Sequence, residues 1–270
     1  MLTRIITAVV ALALFVPLLA FGGEIAACVL FAVICGFSVY EMLMCCDMHK
    51  KWLISIPTVL FTAITVFMPY LLSPYSFLLV GFMVAAIAVA LVGFMFYGVL
   101  AHKSIDVERL MMFFALALYI TAGFASLSTL RMVLGLWSVT FVLCVSWFTD
   151  TFAYFGGMLF GKKKLCPEIS PKKTVAGAIV GTLFGTLSGV LIAWLMIDEA
   201  WLGLLALPFS IVSQLGDLSA SIIKRRFGVK DYGKIFPGHG GVLDRFDSII
   251  PTAIISGATF IGINVIAYIM

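Results

Sequence analysis

Charged side chains are crowded into one stretch of the sequence, from Gln214 to Ser248. Only 11% of the 270 residues are charged, yet here acids that can hold a divalent cation lie beside bases that can hold phosphates. A Pro-Gly-His-Gly-Gly sequence (237–241) lies among them, and glycines let a main chain approach a phosphate closely. The pattern predicts phosphoryl chemistry, and its candidate residues are Asp217, Ser221, Lys224, Arg225, Lys230, Asp231, His239, Asp244, Arg245 and Asp247.

Three of these acids are spaced as metal ligands. Asp217 follows Gly216 at the end of one apolar run, and Asp244 and Asp247 directly precede the next run. On a helix, Asp244 and Asp247 would share a face, and a helix starting after them would point its N–H groups at an anion. Such carboxylates could hold Mg²⁺ together with substrate phosphates. The alternative is a solvated loop whose bases attract anionic lipid headgroups.

Two further features lie upstream. Asp150 is inside an apolar run, where an ionisable residue is a functional hypothesis by default; the alternative is a helix-end acid that pairs with a lysine of the next loop. That loop contains Ser-Pro-Lys-Lys-Thr (170–174). Pro171 and Ser170 predict the first residue and the N-cap of a helix, and the lysines suit phosphate or anionic lipid.

Long apolar runs must position these residues. The chain is 63% hydrophobic, a bilayer-spanning helix needs about 20 apolar residues, and a helix satisfies its own main-chain hydrogen bonds in lipid. We therefore predict an all-α polytopic membrane protein with nine transmembrane helices. The first is interpreted as a span because no small-residue cleavage site ends it. The predicted spans are 4–21, 25–46, 52–72, 76–100, 109–130, 133–158, 174–197, 200–220 and 248–269.

The distribution of bases predicts the orientation of these spans. With nine of them, every one of the 17 Lys and Arg residues except Arg131 falls on one face. Because such an excess marks the cytoplasmic side, we expect a cytoplasmic N-terminus, an external C-terminus and a cytoplasmic site in a bacterial-type inner membrane. Residues 1–130 are predicted to be scaffold or interface helices, and residues 131–270 the catalytic region.

Four glycines recur at four-residue spacing in the seventh run: Gly177, Gly181, Gly185 and Gly189. Small residues at this spacing let helix backbones approach each other. We favour packing inside one chain, with the seam of a homodimer as the alternative.

The polar stretch resembles the signature of the phosphatidate cytidylyltransferase (CDP-diacylglycerol synthase) family. Every fixed position of that signature is filled by residues 221–225, 230–233 and 236–247. Residues 150–157 and 170–174 look like the family's other motifs, so the resemblance covers about residues 140–250. Many members carry an acid two positions after the threonine of Ser-Pro-Lys-Lys-Thr. This chain has Ala176 there, and no catalytic role is expected at that position.

The resemblance implies transfer of CMP from CTP to phosphatidate with release of pyrophosphate. It also implies a requirement for Mg²⁺, and it leaves open whether a second cation takes part. The expected metal ligands are Asp217, Asp244 and Asp247. The expected catalytic residues are these three with Lys224, Arg225 and Asp150. The expected substrate contacts are Ser221, His239, Gly240, Gly241, Arg245, Ser170, Lys172, Lys173 and Thr174. CTP, phosphatidate of the cytoplasmic leaflet and membrane lipids are the expected partners, and nucleic acid is not.

A CTP-dependent lipid kinase is the nearest alternative, because it uses similar helices and the same nucleotide but transfers the γ-phosphate. A CDP-alcohol phosphotransferase would need an Asp-Gly-x-x-Ala-Arg sequence, which this chain lacks. A transporter would carry charges near the membrane midplane and repeated halves, whereas the charges here crowd one face.

Overall fold

A computed structural model describes residues 2–72, 76–101, 106–235 and 240–269. Within these ranges the predicted all-α class is confirmed, with the addition of one small β-hairpin and two short 3-10 helices (Ala200–Leu205 and Leu243–Arg245). The α-helices are α1 (Leu2–Phe21), α2 (Gly23–Cys45), α3 (Trp52–Leu72), α4 (Ser76–Leu100), α5 (Val107–Val133), α6 (Leu136–Phe160), α7 (Val175–Ile197), α8 (Ala206–Arg226) and α9 (Ile249–Ile269).

Seven of the helices in the described ranges, α2 to α8, are long and apolar enough to cross a membrane. The described apolar parts of the two outer helices are shorter, Val9–Phe21 and Ile249–Asn264. Large apolar side chains such as Phe96, Val99 and Leu100 on α4 are exposed, as expected of helices that face lipid. The chain is therefore a polytopic helical membrane protein.

The chain divides into two compact units. The first unit comprises Met1–Met132 and Asp231–Asp244, and the second unit comprises Val133–Lys230 and Arg245–Met270. In the first unit, α2 packs against α3, and fully buried side chains such as Phe31 of α2 and Phe124 of α5 belong to its core. The described part of segment 231–244 thus groups with helices of the N-terminal half of the chain.

An aromatic cluster stabilises the second unit. Phe141 of α6, Phe209 of α8 and Phe260 of α9 contact one another edge to face, with ring centroids 5.3–6.2 Å apart. Each such pair contributes about 0.5–1.5 kcal/mol of stability beyond that of burying its apolar area. The cluster joins α6, which carries Asp150, and α8, which carries Asp217, to α9, which begins two residues after Asp247.

The glycine ladder packs inside the chain. A Cβ at Gly177 would meet the main-chain oxygen of Ala153, and a Cβ at Gly181 or Gly185 would meet Thr149. Both contacted residues belong to α6, so the missing side chains allow α7 to lie directly against α6. The preference for packing over a dimer seam agrees with this arrangement.

The Ser-Pro-Lys-Lys-Thr sequence is a β-strand rather than the start of a helix. Residues Lys164–Cys166 (β1) and Ser170–Thr174 (β2) pair antiparallel, and the fixed φ of proline suits an extended edge strand as well as a first helical turn. Thr174 caps α7, because its Oγ1 accepts the Gly177 N–H at 3.1 Å. The predicted N-cap at Ser170 is therefore wrong.

Asp244 and Asp247 do not share a helical face. Asp244 lies in the short 3-10 helix Leu243–Arg245, and Asp247 lies in the turn before α9. Pro251 explains the late helix start, because a helix reaching back to Asp247 would set the proline ring against the carbonyl of that residue. The predicted helix start directly after the acids is correct, but the predicted shared face is wrong.

Candidate functional site

In the second unit, Lys173 of β2 and Asp217 of α8 form an ion pair. The distance from Lys173 Nζ to Asp217 Oδ2 is 2.6 Å, and the two side chains are 24% and 29% exposed. Lys173 Nζ also donates to the main-chain oxygen of Gln214 at 3.4 Å. The Gln214 amide in turn donates to Thr182 Oγ1 of α7 at 2.9 Å. Two predicted site residues are thus brought together, and the hairpin is tied to α8.

Lys224 and Asp247 form a second and more deeply buried pair. Lys224 Nζ lies 3.3 Å from Asp247 Oδ2, and the side chains are 11% and 12% exposed. Lys224 is two turns after Asp217 on α8, which continues to Arg226, six residues beyond the predicted span 200–220. Both pairs therefore depend on this one helix.

Gly216 allows α8 to approach the start of α9. A Cβ at this position would meet the Pro251 ring and the main-chain oxygen of Asp247. A side chain here would push apart the helix that carries Asp217 and the turn that carries Asp247. Steric contact therefore favours glycine at the position directly before Asp217.

Negative charge accumulates around Asp247. Burial raises the pKa of Asp247 to about 7, the charge of Asp217 adds to this effect, Lys224 opposes it, and Asp150 raises it further. Each of the two neighbouring carboxylates opposes ionisation of Asp247, because like charges repel. A bound cation would relieve this repulsion.

Asp150 has a partner that the sequence did not reveal. Ser248 Oγ donates a hydrogen bond of 2.7 Å to Asp150 Oδ2. Ser248 is buried and directly follows Asp247. The hydrogen bond links α6 to the turn before α9, so Asp150 helps to fix the residue next to Asp247.

The remaining predicted contacts of the second unit differ in exposure. Lys172, Arg225 and Arg245 are exposed, Ser170 and Ser221 are half-buried, and Thr174 is buried. Arg225 Nη1 donates to the main-chain oxygen of Val229 at 3.2 Å. The exposed bases are accessible to an anion from solution, whereas the Thr174 hydroxyl is already used as a helix cap.

In the first unit, Asp244 is bound to the main chain around it. Its Oδ2 accepts the N–H groups of Tyr232 at 2.8 Å and of Gly241 at 2.9 Å. Gly240 has a φ of +88°, a value that favours glycine. The predicted phosphate contact His239 lies outside the described residues.

Sequence reasoning missed Glu41, which lies in α2 with no exposed surface. Its two carboxylate oxygens accept the N–H groups of Val242 and Leu243 at 2.9 and 2.8 Å. The available signal was an acid within an apolar span, which is costly in lipid. No local pattern indicates the partners, because they lie 201 and 202 residues away.

The chemistry of these residues fits Mg²⁺, which prefers oxygen ligands. In the ranges that the structure describes, no three His, Cys, Asp or Glu side chains form a group that could hold a metal. Mg²⁺ is commonly bound by only one or two carboxylates, with substrate phosphates and water completing the shell. Asp217 and Asp247 of the second unit, whose charges repel each other, meet that smaller requirement.

Known proteins are similar to this chain over most of its length. The sequence model of the cytidylyltransferase family matches residues 2–261. A phosphatidate cytidylyltransferase of Bacillus subtilis strain 168 is 37% identical over 256 residues, which are 92% of this chain and 93% of the relative. One of Staphylococcus haemolyticus is 36% identical over 259 residues, 93% of this chain and 95% of the relative.

A third relative matches a shorter region more strongly. The phosphatidate cytidylyltransferase of Brucella abortus biovar 1 is 46% identical over 138 residues, which are 49% of this chain and 51% of the relative. The resemblance inferred from residues 140–250 is thus confirmed. The chain belongs to the cytidylyltransferase family.

Proposed function

We propose that this protein is a phosphatidate cytidylyltransferase, a membrane enzyme that transfers CMP from CTP to phosphatidate and yields CDP-diacylglycerol and pyrophosphate. The observation that carries this proposal is the match to relatives of that name over nine-tenths of the chain. The two lysine–aspartate pairs of the second unit supply the cations and acids that the reaction needs.

In the reaction, a phosphate oxygen of phosphatidate attacks the α-phosphorus of CTP, and the bond to the β-phosphate breaks. Both reactants are anions, so neutralisation of charge and alignment should supply most of the catalysis. The nucleophile is already ionised at neutral pH and needs no general base. A bound Mg²⁺ would supply positive charge at the transferring and leaving phosphates.

Asp217 and Asp247 are the proposed ligands of that cation. Asp244 is proposed as a further ligand from its place in the sequence, three residues before Asp247. Lys173 and Lys224, which contact carboxylates here, would exchange these for phosphate oxygens once the acids bind metal. Asp150 would hold the turn at Ser248 through its hydrogen bond.

The other proposed contacts surround the triphosphate and the lipid phosphate. Exposed bases suit this role, because each can contribute charge to an anion with little loss of its own hydration. The proposed contacts are Lys172, Arg225 and Arg245 through charge, Gly240 through its main-chain N–H group, Gly241 through the close approach that a missing side chain allows, and Ser170, Thr174, Ser221 and His239 through side chains.

We further propose nine spans, with the N-terminus and the site on the cytoplasmic side of the inner membrane and the C-terminus outside. The support is the distribution of bases, since nine spans leave Arg131 alone on the opposite face. CTP would then reach the site from the cytoplasm, while phosphatidate keeps its acyl chains in the inner leaflet.

Radioactive label in CTP distinguishes a cytidylyltransferase from a lipid kinase. The purified protein, reconstituted with phosphatidate and Mg²⁺, should move label from [α-³²P]CTP into the lipid phase and release pyrophosphate. Lipid label that comes only from [γ-³²P]CTP would instead identify a CTP-dependent lipid kinase. Absence of lipid label from both positions would refute transfer to this lipid.

A further inference from the structure

Glu41 lies in α2, far in sequence from every residue of the polar stretch, yet it binds that stretch directly. Val242 N donates to Oε1 at 2.9 Å, and Leu243 N donates to Oε2 at 2.8 Å. The carboxylate has no exposed surface. Two adjacent amides that each donate to a different oxygen form a clamp that fixes both the position and the direction of the main chain.

The loop is shaped around this carboxylate. A Cβ at Gly233 or at Gly241 would meet the Glu41 side chain, so glycine at both positions makes room for it. One turn further along α2, Cys45 Sγ lies 3.6 Å from the main-chain oxygen of Tyr232. The end of α2 thus contacts the beginning and the end of the described part of segment 231–244.

Asp244 completes the arrangement from inside the loop, since its Oδ2 accepts the amides of Tyr232 and Gly241. Glu41 holds the next two amides, those of Val242 and Leu243. Three consecutive main-chain N–H groups, from Gly241 to Leu243, are therefore directed at two carboxylates immediately before Asp244. The position of Asp244 depends on both sets of hydrogen bonds.

We propose that Glu41 is a positioning residue for the transfer reaction, which sets the main chain of residues 241–243 and thereby the placement of Gly241 and Asp244 for CTP. The proposal rests on the function proposed above. Glu41 itself touches neither substrate, because it is fully buried and its two oxygens face the loop.

The test compares Glu41→Gln with Glu24→Gln. Glutamine keeps the size of the side chain but turns an NH₂ group toward one main-chain donor, so one hydrogen bond is lost and two donors face each other. Glu24 is exposed at the opposite end of the same helix, and its change removes the same charge. Glu41→Asp keeps both oxygens and the charge on a side chain one methylene shorter.

We expect Glu41→Gln to weaken CTP binding in equilibrium dialysis and to raise the KM for CTP by about tenfold or more, as loss of a hydrogen bond to a charged group implies. Amide hydrogen exchange of residues 240–244 should become faster, while that of α2 is unchanged. Glu24→Gln should match the wild type, and Glu41→Asp should restore part of the affinity.

The proposal would be overturned if folded Glu41→Gln had the CTP affinity and the KM of the wild type. It would also be overturned if the substitution lowered only the yield of folded protein and left both values unchanged in the folded fraction. If Glu41→Gln does not fold, the test rests on Glu41→Asp. That variant must then bind CTP more weakly than the wild type and show faster amide hydrogen exchange at residues 240–244. Wild-type protein that binds CTP without transfer to phosphatidate would refute the proposed reaction only, because CTP affinity still reports on Glu41.

Discussion

Each lysine of the two ion pairs is held by an acid that we assign to the metal site. Partly exposed ion pairs such as Lys173–Asp217 contribute little to stability, because water screens the charges. Stability alone therefore does not explain why Lys173 and Asp217 are paired. A pair that separates readily suits a site where both partners must turn to a substrate.

We expect Asp217→Asn to lower kcat by about 100-fold or more, the usual loss when one electrostatic contact of a transition state is removed. The amide cannot replace the charge that binds a cation. Turnover of labelled CTP in reconstituted vesicles measures the effect. Asp198→Asn is the matched control, since Asp198 is exposed at the C-terminus of α7 in a left-handed conformation that asparagine also adopts. Near-normal turnover of folded Asp217→Asn would remove this residue from the metal site.

The candidate residues were accessible to sequence reasoning to different degrees. Asp217, Lys224 and Asp247 stand out because charge is rare in this chain, and no tertiary information was needed to single them out. The pairing of Lys173 with Asp217 joins a strand to a helix 44 positions later, and nothing in the local sequence specifies it. Ser248 was missed because serine is unremarkable beside a charged loop.

Among the elements, α7 depends on its N-cap residue, Thr174, and on its glycine face. We expect Thr174→Ala to lower the free energy of unfolding by about 1 kcal/mol, the usual effect of losing an N-cap hydroxyl. Thr174→Ser keeps an oxygen for the Gly177 N–H and should stay close to the wild type. Thermal unfolding in detergent measures both variants, and equal losses in the two would show that the methyl group, rather than the cap, matters.

The close contact between α6 and α7 leads to a second prediction about stability. Gly181→Val should destabilise the protein by about 1–3 kcal/mol, the typical cost of overpacking, since even a Cβ there meets Thr149 and Ala153. Gly262→Ala is the control, because a Cβ at that position meets nothing within 4 Å. Unfolding temperatures that fall equally in both variants would argue against a close seam.

Sequence patterns located the helices well, because each needs a long apolar run and the polar loops between them are short. The predicted run 52–72 coincides with α3, and the run 174–197 begins one residue before α7. The failures fall where turn geometry decides. Proline at 171 fits a strand as well as a helix start, and the effect of Pro251 on Asp247 appears only once the start of α9 is known.

For the whole molecule, the distribution of bases makes a topological prediction. In a cysteine-free background, a cysteine at Glu24 should react with a membrane-impermeant maleimide in intact cells, because the first turn of α2 is expected outside. A cysteine at Lys50, in the next loop, should react only after the cells are permeabilised. Both positions are exposed, so accessibility to reagent depends on the membrane alone. Labelling of Lys50→Cys in intact cells would reverse the proposed orientation.

The clamp at Glu41 also has a consequence for how the protein is made. Val242 follows Glu41 by 201 residues, so at about 5–20 residues per second the ribosome completes it roughly 10–40 s later. During that interval the nascent second helix carries a carboxylate whose two amide donors have not yet been synthesised. A chain that terminates before Val242 keeps this acid without either donor. Unfinished products therefore carry a carboxylate in an apolar helix without its hydrogen-bond donors, and completion of the loop supplies them.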